Sequence, residues 1–223
     1  MSDSEKQSEG RYRVLSKEDL HSKTKSLSIF DQDGNAVPVT QIFDRNSASQ
    51  QRNVIVFIRH FYCGSCEEYV RALSRKFTDA ALSQCNPATT ISIIGCGDHS
   101  QIDAYRRRTN CKYDIYADPQ RKLYRAFDLL TSLNMGAKPV YETKSMTGII
   151  VSSIWNGLMA GPKVLSGGNV TQLGGEFIFV DGNMVFAHRM STTRDHLEID
   201  DLEKALRDTD VNGRPESTGS SDA

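Results

Sequence analysis

Two uninterrupted apolar runs constrain the fold of this chain more than any other feature. Val54–Ile58 is β-branched and aromatic without alternation, and Thr89–Gly95 is a second run of the same kind. Such runs are typical of strands that are buried on both faces of a parallel sheet. Between them, Cys66–Phe77 has apolar residues at helical spacing, which predicts an amphipathic helix. The chain is therefore expected to contain a βαβ unit.

The rest of the pattern extends this unit into an α/β fold with a mixed central sheet flanked by helices. Turn signals containing Asp and Gly separate two pairs of short apolar runs, and each pair predicts a hairpin. The further predicted elements are a hairpin of Leu27–Phe30 with Ala36–Val39, a helix over Gln101–Thr109, a strand at Tyr113–Tyr116, a helix opened by Asp118-Pro119, a hairpin of Gly175–Val180 with Met184–His188, and a helix over Ile199–Leu206.

Polar composition sets the predicted domain limits. Residues 1–23 are rich in Ser, Glu, Lys and Arg, so we expect a disordered arm with at most a short helix over Ser16–His21. Residues 208–223 are predicted as a disordered tail, which leaves one domain at residues 24–207. Within it, residues 131–173 mix the apolar run Met146–Met159 with glycines, and this segment is long enough to act as a lid.

Charge and composition exclude several classes of partner. The formal net charge is -1 and the pI is near 6.5, so neither nucleic acid nor a membrane surface is expected to attract the chain. No apolar stretch approaches the roughly 18 to 20 residues that span a bilayer. The polar N-terminus lacks the apolar core of a secretory signal, and we expect a cytoplasmic protein. No Gly-rich phosphate loop indicates a bound organic cofactor, so none is predicted.

Cys63 and Cys66 form a Cys-x-x-Cys pair that follows the first apolar run and opens the amphipathic helix. The partial positive charge of a helix N-terminus favours a thiolate there. Arg59 and His60 add to this effect, whereas the first-turn acids Glu67 and Glu68 oppose it. The chemistry this predicts is attack by the Cys63 thiolate, followed by closure of a disulfide by Cys66.

Two other interpretations of the pair remain open from the residues alone. Cys96 ends the next apolar run and is followed by His99, so Cys63, Cys66, Cys96 and His99 are a candidate zinc set. Alternatively, the two cysteines fill space in the core, as is expected for Cys85 and Cys111. With either interpretation the protein is a binding module that does not catalyse a reaction.

Four motifs together resemble one family. They are Phe57–Tyr69 with the cysteine pair, Ala117–Pro119 before Leu123 and Tyr124, Gln172–Val180, and Phe186–Arg189. These are similar to the AhpC/TSA-type peroxiredoxin-like proteins, in the thioredoxin-fold branch with the SelU-like proteins and prostamide/prostaglandin F synthase. The resemblance implies a thioredoxin-like fold and an antioxidant thiol oxidoreductase. Its substrates would be peroxide-like small molecules or protein disulfides, and its electron donor a thiol system such as thioredoxin or glutathione.

The resemblance also assigns roles to individual residues. Cys63 and Cys66 are the expected catalytic pair. Arg189 ends the last predicted strand opposite the pair, where it is expected either to stabilise the thiolate or the charge on a peroxide oxygen, or to be a surface arginine. His60 stands where the family carries a Thr or Ser and is assigned to substrate binding. Gly174 and Gly175 stand where thioredoxins place a cis-proline, and the missing Cβ is expected to admit a substrate backbone. A specialised reductase or isomerase of a biosynthetic pathway, with residues 131–173 forming an apolar pocket, is the remaining alternative.

Overall fold

The computed structural model describes residues 10–43, 51–142 and 166–209. Within these ranges the strands are β1 Ser28–Phe30, β2 Ala36–Pro38, β3 Gln51–Phe57, β4 Ala88–Gly95, β5 Asp114–Ala117, β6 Gly175–Val180 and β7 Asn183–Arg189. These seven strands form one sheet in the order β2-β1-β5-β4-β3-β6-β7. β3 pairs with β4 in parallel, β4 pairs with β5 in parallel, and the other pairings are antiparallel. The predicted mixed sheet and both hairpins are confirmed.

Helices cover both faces of the sheet, because alternate residues of the central strand β3 are apolar on each side. The helices are α1 Lys17–Thr24, α2 Thr40–Phe43, α3 Gly64–Lys76, α4 Asp79–Ser83, α5 Ile102–Thr109, α6 Lys122–Ala126 and α7 Ile199–Asp208. Val54 and Val56 belong to a core beneath α3, α5 and α7, whereas Ile55 and Phe57 belong to a second core beneath α1, α2 and α6.

Residues 10–23 pack against the domain instead of forming a disordered arm, and they contain the short helix expected over Ser16–His21. α1 begins after Ser16, whose side chain accepts a hydrogen bond from the Asp19 N–H. Leu15 and Leu20 are 4% and 3% exposed and pack into the second core. Two well-placed leucines therefore anchor a segment whose composition is otherwise polar, and ordered structure begins before residue 24.

Residues 131–142 and 166–173 are joined by an isolated bridge between Thr131 and Gln172. The predicted lid and apolar pocket centre on Met146–Met159, which lie outside the described residues, as does most of the predicted tail. Within the three described ranges, no helix is long and apolar enough to cross a membrane.

Candidate active site at Cys63 and Cys66

Cys63 is the N-cap residue of α3. Its backbone is extended, and its sulfur accepts a hydrogen bond from the Cys66 N–H at 3.3 Å. An N-cap side chain normally accepts this bond through oxygen, because the first N–H groups of a helix have no partner within the helix. Here the sulfur takes that place. The chain leaving β3 thus delivers Cys63 to the positive end of a 13-residue helix.

Arg59 connects the pair to the segment that precedes β6. Its Nη1 donates to the Cys63 sulfur at 3.6 Å, and its Nε and Nη2 donate to the carbonyls of Gln172 and Val170 at 3.2 and 2.5 Å. Its backbone N–H donates to the Cys66 sulfur at 3.4 Å. The guanidinium is buried and fixed on three sides, so its charge stays beside Cys63.

The two thiols differ in acidity. Burial works against ionisation of Cys63, but the hydrogen bond with the Cys66 side chain and the charge of Arg59 outweigh it, and the pKa of Cys63 falls to about 6. Burial, together with the hydrogen bond to Cys63 and its charge, raises the pKa of Cys66 well above its ordinary value. At neutral pH the pair therefore consists of a Cys63 thiolate and a Cys66 thiol.

The acids in the first turn of α3 are neutralised by arginines. Glu67 pairs with Arg71 at 3.0 Å and with Arg108 at 2.9 Å, and Glu68 pairs with Arg71 at 2.7 Å. The expected opposition of these carboxylates to the thiolate is therefore offset. Arg108 is half-buried and also donates to the Phe61 carbonyl at 2.6 Å.

His60 is buried, and it directly follows Arg59 in the sequence. Its Nδ1 accepts a hydrogen bond from the Tyr62 N–H at 3.3 Å. Burial and the charge of Arg59 lower the pKa of His60 to about 3, so the ring is neutral and carries its proton on Nε2. His60 therefore presents one N–H donor where a hydroxyl was expected from the family pattern.

Gly174 and Gly175 do not line an open groove. A Cβ at Gly174 would lie 1.9 Å from the Phe57 carbonyl oxygen, and one at Gly175 would lie 2.3 Å from the His188 carbonyl oxygen. The space that their missing side chains leave is filled by β3 and β7. The missing Cβ atoms therefore permit close packing of the protein's own strands, and substrate binding by these glycines stays a prediction.

Arg189 is also placed away from its predicted position. Its Nε donates to the Phe127 carbonyl at 2.7 Å, its Nη1 donates to the Arg13 carbonyl at 2.8 Å, and its guanidinium lies over the Phe177 ring. Phe127 and Phe177 belong to the second core, on the sheet face opposite α3. Strand alternation puts Arg189 on that face. The arginine that contacts Cys63 is Arg59.

The candidate zinc set is not assembled. The Cys96 sulfur donates to the Arg59 carbonyl at 2.9 Å, and burial raises the pKa of Cys96 to about 11. The His99 ring packs against Gly34 and Phe30. Across the described ranges, no group of three Cys, His, Asp or Glu side chains is placed to hold one metal ion.

Sequence reasoning missed a buried carboxylate–histidine cluster. Glu176, which is 0% exposed, lies 2.6 Å from His188 Nδ1 and 2.5 Å from His196 Nδ1. Burial raises the pKa of Glu176, but the two imidazoles outweigh it and bring the pKa down to about 2. The available signal was a lone acid inside the apolar strand Gly175–Val180, since buried charges are normally paired.

A cysteine pair at the N-terminus of a helix, directly after the central strand of a mixed sheet with helices on both faces, defines a thioredoxin-fold protein with a thiol site. The chain belongs to the AhpC/TSA antioxidant enzyme family, whose model matches residues 73–192. The matched range begins after Cys66, so the family match does not by itself assign a role to the pair.

The sequence relatives carry the name peroxiredoxin-like. The chain is 31% identical over 177 residues to Peroxiredoxin-like 2C of Takifugu rubripes, covering 77% of this chain and 74% of that protein. It is 29% identical over 180 residues to Peroxiredoxin-like 2C of Homo sapiens, covering 79% and 75%. Among solved structures, the peroxiredoxin-like protein from Aquifex aeolicus matches with a TM-score of 0.50 at 9% identity, covering 81% of each chain. That likeness establishes the thioredoxin fold.

Proposed function

We propose that the protein is a thiol oxidoreductase in which Cys63 attacks the substrate and Cys66 resolves the product. The observation that carries this proposal is the position of Cys63, whose sulfur caps α3 and accepts from the Cys66 N–H and the Arg59 guanidinium. This arrangement lowers the pKa of Cys63 to about 6, while the pKa of Cys66 is raised. A nucleophile must be ionised at working pH, and the resolving thiol must keep its proton until an adduct exists. Family membership supports a redox role.

With a peroxide, the Cys63 sulfur attacks one oxygen. The S–O bond forms, the O–O bond breaks, and the leaving oxygen takes up a proton to give an alcohol or water. Cys66 then attacks the sulfenic sulfur, so that an S–S bond forms and water leaves with the Cys66 proton. With a disulfide substrate, Cys63 displaces one sulfur and Cys66 displaces the other by the same two attacks.

Arg59 places a guanidinium N–H beside Cys63, where it suits an oxygen that gains negative charge. His60 lies three residues before Cys63 and carries its proton on Nε2, so its ring also offers one N–H donor. Hydrogen bonds aimed at developing charge stabilise a transition state. We therefore assign His60 the binding role that a hydroxyl would otherwise fill, and Arg59 the electrostatic role first assigned to Arg189.

An external thiol must reopen the disulfide, and we propose thioredoxin or glutathione in the cytoplasm as its source. Five cysteines without regular spacing do not form the framework of a secreted disulfide scaffold, which supports a reducing compartment. The cellular role that follows is removal of peroxides or repair of disulfides.

The test is intact mass of the fully reduced protein before and after one equivalent of hydrogen peroxide, tert-butyl hydroperoxide or a small disulfide. We expect a loss of two hydrogens, with peptide mapping placing the new bond between Cys63 and Cys66. Cys63→Ser should remove this change, Cys66→Ser should retain a first-step adduct, and Cys85→Ser is the matched control that should behave as wild type. An unchanged mass with every oxidant, or equal reaction of Cys63→Ser, would rule the proposal out.

A further inference from the structure

Arg108 joins the two ends of the cysteine motif. Its Nη2 donates to the Phe61 carbonyl at 2.6 Å, and its Nε donates to the Glu67 carboxylate at 2.9 Å. Phe61 lies two residues before Cys63, and Glu67 directly follows Cys66. One guanidinium therefore bridges the two ends of a short segment that contains both thiols.

Arg108 is itself held in place. α5 ends one residue later, and the Arg108 carbonyl accepts two hydrogen bonds from the Arg71 guanidinium on α3, at 3.2 and 2.8 Å. The Arg108 guanidinium lies 5.2 Å from the centre of the Tyr62 ring and 5.8 Å from that of the Tyr105 ring. Aromatic faces attract a cation at these distances. The arginine is therefore a fixed point to which the cysteine segment is attached.

The hydrogen bond that caps α3 depends on where the Cys63 segment lies. The Cys63 sulfur accepts from the Cys66 N–H at 3.3 Å while the Cys63 backbone is extended at the start of the helix. The turn that leads into it is tight, since the Cys63 N–H donates to the His60 carbonyl at 3.1 Å. Hydrogen bonds weaken steeply as their geometry worsens. A small shift of this turn is therefore enough to take the sulfur off the Cys66 N–H.

We propose that Arg108 is a positioning residue of the redox site: it ties the segment that carries Cys63 to the first turn of α3 and so keeps the sulfur on the Cys66 N–H. Its contacts are with Phe61 and Glu67, so it acts on Cys63 through the backbone. This inference rests on the proposed function, in which Cys63 is the thiol that attacks first.

Loss of this position should be visible in the acidity of Cys63. Burial works against its ionisation, and the Cys66 side chain, the charge of Arg59, the Cys66 N–H and the charge of His196 lower the pKa of Cys63, in that order of effect. Two of these four effects need the sulfur to stay at the start of α3. The other charged or titratable groups around the segment are His60, Glu67, Glu68 and Arg71, and Tyr105 and Arg108 on α5.

Three consecutive arginines on α5 provide a matched series of variants. Arg106 donates to the Cys111 and Tyr113 carbonyls at 3.3 and 2.7 Å, Arg107 is exposed, and Arg108 bonds to the cysteine segment. Arg106→Gln therefore removes the same charge and two hydrogen bonds to main-chain carbonyls without altering a contact of the cysteine segment. Arg107→Gln removes the charge alone.

The first test measures the rate of iodoacetamide alkylation of Cys63 against pH, with fragment-ion mapping to separate Cys63 from Cys66. This reads the thiolate directly and requires no turnover. In Arg108→Gln we expect the midpoint for Cys63 to rise by about 1 pH unit, so that the rate at pH 6 falls roughly fivefold. Arg106→Gln and Arg107→Gln should keep the wild-type midpoint.

Arg108→Lys is the milder variant of the same position. It keeps the charge but lacks the rigid fork that reaches Phe61 and Glu67 together, so the midpoint for Cys63 should shift in the same direction. A wild-type midpoint in both folded Arg108 variants, or an equal shift in Arg106→Gln, would overturn the proposal.

A second measurement reads the position of the segment without reading its acidity. Hydrogen exchange of the Cys66 amide is followed by NMR in the fully reduced full chain, because the bond to the Cys63 sulfur protects this N–H. In Arg108→Gln we expect exchange about tenfold faster than in wild type and in Arg106→Gln. Unchanged exchange would overturn the inference even with a shifted midpoint, since Arg108 would then act by its charge alone. Neither readout uses an oxidant, so a failure of the proposed thiol chemistry leaves both of them intact.

Discussion

The Arg59 guanidinium lies 3.6 Å from the Cys63 sulfur, and its two other nitrogens are bonded to main-chain carbonyls. These three hydrogen bonds keep the guanidinium charge beside the sulfur, whereas an unrestrained arginine side chain would extend into solvent. Because the group is fixed, its effect on the thiolate costs no reorganisation when the substrate arrives.

Arg59→Gln should therefore raise the pKa of Cys63 by about 1 unit, since a neighbouring opposite charge is lost. At pH 6 the alkylation rate of Cys63 is expected to fall about fivefold. Arg107→Gln removes an exposed arginine of α5 and is the matched control. If both variants alkylate like wild type, the thiolate does not depend on Arg59.

Arg189→Gln should change stability and leave the thiol unchanged. The side chain bonds to the Phe127 and Arg13 carbonyls on the far face of the sheet. Losing these charged hydrogen bonds is expected to lower the free energy of unfolding by about 2 kcal/mol in urea titration. A shift in the alkylation profile of Cys63 would contradict this placement and restore the first assignment of Arg189.

Gly174→Ala should destabilise the fold. Its new methyl group would lie 1.9 Å from the Phe57 carbonyl oxygen, a main-chain atom of the packed sheet that cannot easily move away. We expect a loss of about 3 kcal/mol in the free energy of unfolding, at the upper end for overpacking. Gly10→Ala meets no atom within 4 Å and serves as the control for the same substitution. Equal stability of the two variants would show that strands β3 and β6 can separate without cost.

Acid should destabilise the protein partly through Glu176. The folded pKa of this carboxyl is about 2, against 4.5 ordinarily, so its contribution is fully present above pH 4.5 and is lost as the pH falls toward 2. Between pH 5 and pH 3 wild type should lose about 2 kcal/mol more than Glu176→Gln does in urea titrations. Glu18→Gln, exposed on α1, should follow wild type. Parallel losses in wild type and Glu176→Gln would contradict the assignment.

The elements that could be predicted are those with a local pattern. The apolar runs at Val54 and Thr89 became β3 and β4, and the helical spacing after Cys66 became most of α3. The influence of Arg59 and His60 on the cysteine pair could also be predicted, because both residues lie within four sequence positions of Cys63. In each case the deciding interactions are between near neighbours in the chain.

The residues that could not be predicted depend on strand register. Glu176 meets His188 and His196 only after β6 pairs with β7 and the chain turns back. The same strand pairing decides on which face of the sheet Arg189 lies. The local sequence pattern does not reveal that face, because it depends on strand register. Leu15 and Leu20 were missed because two apolar residues in a polar segment are too few to predict packing.

The two carbonyls that hold the Arg59 side chain in place belong to residues far from it in the sequence. Its anchors at Val170 and Gln172 are 111 and 113 residues distant in sequence. While the chain is being synthesised, or once it has unfolded, those anchors are missing and the cysteine pair is an ordinary dithiol. The lowered pKa of Cys63 therefore depends on the completed fold, in which Val170 and Gln172 hold Arg59 beside the sulfur.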